Sequence, residues 1–304
     1  MPSATLDTLR RRADLIERTR DFFRSRGVLE VDTPVLQGGA NLDHGVVPMR
    51  CEDRFLPTSP EHPLKRLVAS GSGAVWTLAP AFRRGELGKR HGPEFRMLEW
   101  YRPGWDDQAI AAETVDLLEA LSGLRGGSER VSWREAFRQH AGCDPRTASD
   151  ADLRERLGID ADAAGGDREI ALDLLLTRDV EPHLGRGRWT LLVDYPASGA
   201  AQARLRRDAE GELVAARFEV YRDGVELANG YWELTDAAEL DARLEGERAG
   251  RGDPTVRRDQ RFAAAMSAGL GDCAGVAVGF DRVVMLALGL GSVAETQAFA
   301  WDRA

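Results

Sequence analysis

Leu9, Ala13, Ile16, Thr19 and Phe23 recur at spacings of three and four within residues 5–26, the period of an amphipathic helix, and Gly27 follows where such a helix can end. Val28 to Leu36 then reads as a strand, with Pro34 inside it marking an edge or a bulge. Between Phe82 and Tyr101 two short apolar runs flank a basic turn holding Gly85, Gly88, Gly92 and Pro93, which predicts two antiparallel strands joined by a long loop. Helical spacing returns over 106–124, opened by Asp106 and closed near Gly123. Val214 to Leu227 reads as two strands around Asp223-Gly224, a strong hairpin signal. A final strand at 274–279 turns through Gly279 into an apolar helix starting near Asp281 and Arg282. Capping residues mark further helices: Ser59 with Pro60 at the first helical position, Ser132 with Glu135, and Asp236 with Glu239. Residues 140–190, rich in Asp and Arg with scattered Gly, read as surface helices and loops without an assigned role, and His44 in its turn-rich loop is assigned none.

Bulk properties narrow the picture. The chain has 304 residues, room for one large domain or two small ones, and the even spread of apolar residues favours one. A formal net charge of −9 argues against a surface that wraps long nucleic acid, because such binding depends on neutralising phosphates. Cys51, Cys143 and Cys273 are odd in number and far apart, so no disulfide framework or zinc knuckle is expected. No apolar run approaches the roughly 20 residues of a membrane span, and the N-terminus lacks the apolar core of a signal peptide. A soluble, cytoplasmic protein is expected.

Charge concentrates in FRRGELGKRHGPEFRMLEWY, residues 82–101, where five Arg and Lys and three Glu are interleaved with Phe82, Phe95, Trp100 and Tyr101. Arginine forks suit phosphate oxygens, and an aromatic face can stack on a purine. The stretch resembles motif 2 of the class II aminoacyl-tRNA synthetases, in their lysine branch. VDTPVL at 31–36, TSPEHPLKRL at 58–67, VDYPASGAAQARL at 193–205, GVELANGYWELTDA at 224–237 and GVAVGFDRVVMLALG at 275–289 follow the family order, the last resembling motif 3. The TSPE segment, the short chain and the AxGxDR form of motif 3 make the chain similar to the elongation factor P lysine ligases, free-standing paralogues of lysyl-tRNA synthetase. The resemblance implies an α+β class II catalytic core, a mainly antiparallel sheet of six to seven strands flanked by helices. It also implies a single catalytic domain over 1–304 without an anticodon-binding domain, and a homodimer formed through the first helix and strand.

The chemistry so implied is ATP-dependent activation of (R)-β-lysine, or lysine, as the aminoacyl-adenylate, followed by transfer to a lysine ε-amine of elongation factor P. Arg83 and Arg282 are the catalytic candidates by resemblance, Arg83 on the α-phosphate and substrate carboxylate, Arg282 on the γ-phosphate. Read from residue type alone, either arginine could instead form a surface ion pair. Gly85, His91, Gly92, Phe95, Glu226, Leu227 and Gly279 complete the implied ATP site, with Phe95 on adenine and Glu226 holding Mg2+. Ser59, Glu61, Glu99, Tyr101, Asn229, Glu233 and Ala277 are the implied substrate residues. Glu99, Glu233 and the Tyr101 hydroxyl match, by the resemblance, the family's residues for a lysine ε-ammonium, and a buried ammonium must be paired and hydrogen-bonded. Glu61 either holds a substrate amino group or complements a helix dipole. The Ala277 methyl, where lysyl-tRNA synthetases carry glycine, is expected to favour an amino group on the β-carbon. Glu226 and Glu233 are seven residues apart, and a bulge at Asn229-Gly230 would put them on one face of a strand. Two positions depart from the pattern: Gly85 stands where motif 2 has Glu, with Glu86 next, and Gly92 replaces an Asn. A tRNA acceptor, or a weakened paralogue that binds lysine or nucleotide as a regulator, are the alternative readings. No stable tRNA binding and no membrane association are expected.

Overall fold

The computed structural model describes residues 1–43, 45–158, 168–251 and 253–304; His44 lies outside them. Its strands in chain order are β1 (Leu29–Glu30), β2 (Arg50–Cys51), β3 (Arg54–Phe55), β4 (Val75–Phe82), β5 (Glu94–Pro103), β6 (Ser128–Ser132), β7 (Trp189–Pro196), β8 (Leu205–Arg207), β9 (Leu213–Arg222), β10 (Val225–Trp232) and β11 (Cys273–Gly279). The chain folds as two compact units, the first formed by 1–124, 201–204 and 228–304, the second by 125–200 and 205–227. The boundary falls inside β10, whose residues from Ala228 onward belong to the first.

In the first unit β4 and β5 form the expected hairpin, Phe82 opposite Glu94 and Val75 opposite Tyr101. β5 pairs antiparallel with β11, and β11 with β10 from Ala228 to Trp232. Four helices of this unit start or stop on sequence-coded caps. Thr5 opens the helix Leu6–Arg24, Asp106 opens Asp107–Ser122 by accepting from the Gln108 and Ala109 amides, and Gly123 closes it at φ 73°. Asp236 caps Ala237–Gly250 and Asp259 caps Gln260–Ala268. Behind the sheet, Phe23 stacks on Trp76 and meets Trp100 edge-on, all three fully buried.

The expected strand over Val28–Leu36 is not there. Only Leu29 and Glu30 pair, parallel to Val75 and Trp76. Pro34 has no N–H to continue a ladder, and Val35 and Leu36 remain exposed. The first helix also presents a rotated face: Leu15, Thr19, Phe22 and Phe23 are buried, whereas Ala13 is exposed.

In the second unit β6 runs parallel to β7, which pairs antiparallel with β9, and β8 adds to β9. Asp223 and Gly224 both take positive φ, 51° and 71°, as a tight turn of primed type requires. Ser132 accepts from the Glu135 amide and opens a helix of only four residues, Trp133–Ala136. Asp150–Leu157 and Arg168–Leu175 are helical, and ion pairs such as Arg134–Asp144 and Arg168–Asp150 lace the surface. Among the described residues no helix is long and apolar enough to cross a membrane. All three cysteines are free thiols.

Candidate active site

Side chains directly opposite one another on adjacent strands share a face, so register alone assembles the floor of the site. Ala277 lies between Glu99 on β5 and Asn229 on β10, which brings three sequence-predicted substrate residues into one row. The next row holds Gly275 between Tyr101 and Tyr231. A Cβ at Gly275 would stand 2.2 Å from Tyr101 Cε1 and 2.6 Å from Glu233 Oε1, so the bare glycine is what admits both side chains. Sequence reasoning missed Gly275, although a glycine inside a strand signals close approach of another group.

Above this floor, the helix Glu61–Ala69 delivers its first turn into a buried carboxylate cluster. Ser59 was expected as its N-cap; the helix begins one residue later, after Pro60, yet the Ser59 hydroxyl still accepts from the Glu61 amide at 2.9 Å. The same hydroxyl donates to Glu99 Oε2 at 2.9 Å, and the Tyr101 hydroxyl donates to Glu99 Oε1 at 2.8 Å. Glu61, Glu99 and Glu233 are all buried. Burial pushes Glu99 up to about 8, the charge of Glu61 adds to the rise, and the hydrogen bonds from Tyr101 and Ser59 only partly offset it. Burial also lifts Glu233, to about 7, against the pull of Lys65.

Lys65 was not foreseen as part of the site. Its ammonium stands 2.5 Å from Glu61 Oε1, 2.6 Å from Glu233 Oε2 and 3.1 Å from Gln202 Oε1, with the residue 1% exposed. Burial alone would lower its pKa, but Glu233 and Glu61 more than reverse this and hold it above the ordinary lysine value. The Glu61–Lys65 spacing of four was visible in the sequence, yet on a helix it also describes an ordinary surface pair.

The phosphate-type residues gather on the β4–β5 loop and the helix Phe280–Leu288. Arg83 donates from Nε to the Thr58 carbonyl at 3.3 Å, and its guanidinium lies 5.2 Å from the Phe95 ring centroid. Thr58 and Ser59 thus hold Arg83 and Glu99, one residue apart in the chain. Glu86 approaches Arg83 at 3.8 Å, and Gly85 takes φ 83°, a conformation that glutamate at the usual motif position would resist. Arg282 donates to the Arg90 carbonyl at 3.1 Å and its Nη2 meets His91 Nε2 at 2.5 Å, joining the loop to the last helix. Gly279 caps that helix, and its missing Cβ lies against the Arg282 methylenes. Asp281 is buried, accepts from the Arg96 amide at 2.9 Å and pairs with Arg12 at 2.6 Å, which fixes the helix start beside Arg282. Gly92 leaves room for the Glu94 carbonyl, 3.2 Å from where its Cβ would be.

Glu226 and Leu227 belong to the second unit. There the buried Glu219 accepts from Arg217 and Tyr221, each at 2.6 Å, and its pKa is raised by burial and by the neighbouring charge of Glu226, against Arg217. The bulge expected at Asn229-Gly230 is absent: Ala228 through Trp232 pair one-to-one with Val278 through Ala274. Five consecutive ladder partners on β11 leave no extra residue to accommodate.

The sequence profile of the family described as tRNA synthetases class II (D, K and N) matches residues 2–303. Over its full length the chain is 42% identical to the elongation factor P-(R)-beta-lysine ligase of Salmonella gallinarum, covering 98% of that protein. It is 43% identical to the proteins of the same name from Salmonella dublin and Klebsiella pneumoniae, again over the whole chain and 98% of each.

Proposed function

The chain belongs to the class II tRNA synthetase family of the D, K and N type, and from that membership we propose that it is an ATP-dependent ligase that activates (R)-β-lysine and transfers it to elongation factor P. The observation that carries the substrate reading is the buried cluster of Glu61, Glu99 and Glu233 with Ser59 and Tyr101, acidic enough to need cationic partners. A buried carboxylate that must ionise near neutral pH gains most from an ammonium ion brought to it.

In this reading Arg83 holds the substrate carboxylate and the α-phosphate together, so that a carboxylate oxygen attacks phosphorus as pyrophosphate leaves. Proximity and a fixed positive charge at the developing phosphoryl negative charge both lower the barrier. Arg282, at the positive end of the Phe280–Leu288 helix, holds the γ-phosphate, and His91 orients it. Phe95 stacks on adenine, exchanging its contact with Arg83 for the purine. Gly85, Gly92 and Gly279 shape the backbone around the nucleotide, and Asn229 and Ala277 line the substrate carbons; Leu227, in the second unit, is a nucleotide residue on the family resemblance alone.

Glu226 would hold Mg2+, with Glu219 beside it. Hard oxygen donors fit that ion, which commonly uses only one or two carboxylates, and mutual repulsion between these two acids is what a divalent cation offsets. When bound, it would supply positive charge that offsets the negative charge of a polyphosphate. The two compact units are read as parts of one catalytic domain, supported by a family match that runs through both. A homodimer is part of the proposal, supported by exposed Leu29, Val35 and Leu36 on the segment after the first helix. A cytoplasmic location accords with three reduced cysteines.

ATP–pyrophosphate exchange across a panel of amino acids tests the reading. (R)-β-Lysine should support the fastest exchange; a panel in which no diamino acid stimulates it would overturn the assignment.

A further inference from the structure

Among the described residues, the cation inside the carboxylate cluster is the protein's own Lys65. Lys65 touches two of the three carboxylates and Gln202 but not Glu99, which is engaged by Ser59 and Tyr101. Three hydrogens on an ammonium match three acceptors, so its donor capacity is filled without a ligand. The helix is anchored where Lys65 leaves it, with Leu64 fully buried on one side and Val68 buried a turn later. Gln202 is itself fixed, because its carbonyl accepts from the Leu234 amide at 2.9 Å and Ala203 bridges Glu233. The lysine therefore sits in a built site, drawn to one point between side chains from a helix, a strand end and a connecting segment.

Two carboxylates converging on one buried point repel each other unless a cation lies between them. Once incoming ammonium groups draw Glu99 and Glu233 into their ionised forms, three carboxylates less one resident ammonium leave two negative charges to be matched. (R)-β-Lysine carries two ammonium groups, and its carboxylate is matched separately by Arg83. We propose that Lys65 is a positioning residue for ammonium recognition: it stays in place when substrate binds, holds Glu61 and Glu233 converged, and sets the pocket to receive two ammonium groups. The inference rests on the ligase reading for the identity of the substrate.

A different role has the opposite signature. Were Lys65 a stand-in that substrate displaces, removing it would tighten binding. The groups that face the cluster are Glu61 and Lys65 from the helix, Asp43, on which the charge of Glu61 acts, Glu99 and Tyr101 from β5, Cys273 from β11, and Arg204, whose Nε donates to the Glu233 carbonyl at 3.1 Å. Lys65 is the charge that most lowers Glu233. Its loss would move the Glu233 titration upward from about 7, and the acid limb of 1/KM for the diamino acid with it.

The test compares wild type, Lys65→Met and Lys65→Arg in ATP–pyrophosphate exchange with (R)-β-lysine as a function of pH. Wild-type exchange decides the ligase reading, and the variants decide the role of Lys65. Lys65→Met should raise KM by about tenfold or more near neutral pH with kcat little changed, move the acid limb upward, and be largely rescued by Lys65→Arg. A folded Met variant with an unchanged or lower KM would overturn the proposal. Should the Met variant not fold, 15N-lysine NMR of the wild type reads the same point. A protected Lys65 ammonium signal should persist on adding (R)-β-lysine, and its disappearance would overturn the proposal.

Discussion

Burial and hydrogen bonding oppose each other at Glu99, and burial wins. Its carboxyl titrates at about 8 when folded against 4.5 for an ordinary glutamate, so between those values the folded protein holds a proton that the unfolded chain has released. The stability this contributes is fully present below the unfolded value and is lost as pH rises through the folded one. Glu233, at about 7, has the same sign. The melting temperature of the ligand-free protein should therefore fall across that window, and the slope should flatten in Glu99→Gln; equal slopes in both proteins would show that Glu99 is not the source. Arg282 offers a different test, because two of its partners, His91 and the Arg90 carbonyl, lie in an exposed loop. Arg282→Ala should keep its melting temperature while amino-acid-dependent exchange drops about 100- to 1,000-fold. Near-wild-type exchange would remove Arg282 from the phosphate site. At this scale residue type and motif order pointed to Glu99, Glu233, Tyr101 and Arg282. Lys65 stayed hidden because a lysine four positions after a glutamate has the same spacing whether it faces water or core. Only the packing of Leu64 and Val68 shows which way the helix turns.

Elements were legible where local chemistry fixed them. Asp106 and Gly123 bound a helix, Asp223-Gly224 a turn, and Gly279 the passage from β11 into the last helix. Where tertiary pairing decides, the sequence was a poorer guide: Val28–Leu36 has the apolar content of a strand, but a single short parallel contact and Pro34 stop it after Glu30. The same holds for Asn229-Gly230, where a glycine suggested a bulge and regular pairing with β11 prevails. β11 matters most for the site, since its alternate residues Gly275 and Ala277 lie opposite Tyr101 and Glu99 on β5. Gly275→Ala places a methyl against the Tyr101 ring and the Glu233 carboxylate, both buried and unable to withdraw without breaking their own contacts. Overpacking of this kind costs about 1–3 kcal/mol of stability. The larger effect should be on KM for the diamino acid, read by exchange, since both displaced groups belong to the proposed ammonium site. A variant with unchanged KM would mean that the strand shifts as a body and the site tolerates it.

At the scale of the whole molecule, what docks over the pocket decides which group receives the activated acyl, because the chemistry of the adenylate does not choose. Either a ribose hydroxyl or an amine can attack the same carbonyl, so the acceptor is selected by what docks over the pocket. A net charge of −9 disfavours an RNA partner, which binds largely by releasing counterions from its phosphates to basic side chains. The proteins similar to this chain over its full length are named for elongation factor P and (R)-β-lysine, which favours a protein lysine. Such an acceptor must arrive with its amine neutral, and a free lysine with a pKa of about 10.4 is almost wholly protonated at neutral pH. Desolvation at the mouth of the site would favour the neutral amine. The prediction is that enzyme charged with ATP and radiolabelled (R)-β-lysine passes acid-stable label to purified elongation factor P and none to total tRNA. The bond formed on the protein is an amide and survives mild base, whereas an ester on tRNA does not, so one alkaline wash separates the two products. Base-labile label on tRNA, with none on the protein, would reverse the choice of acceptor while leaving the activation chemistry intact.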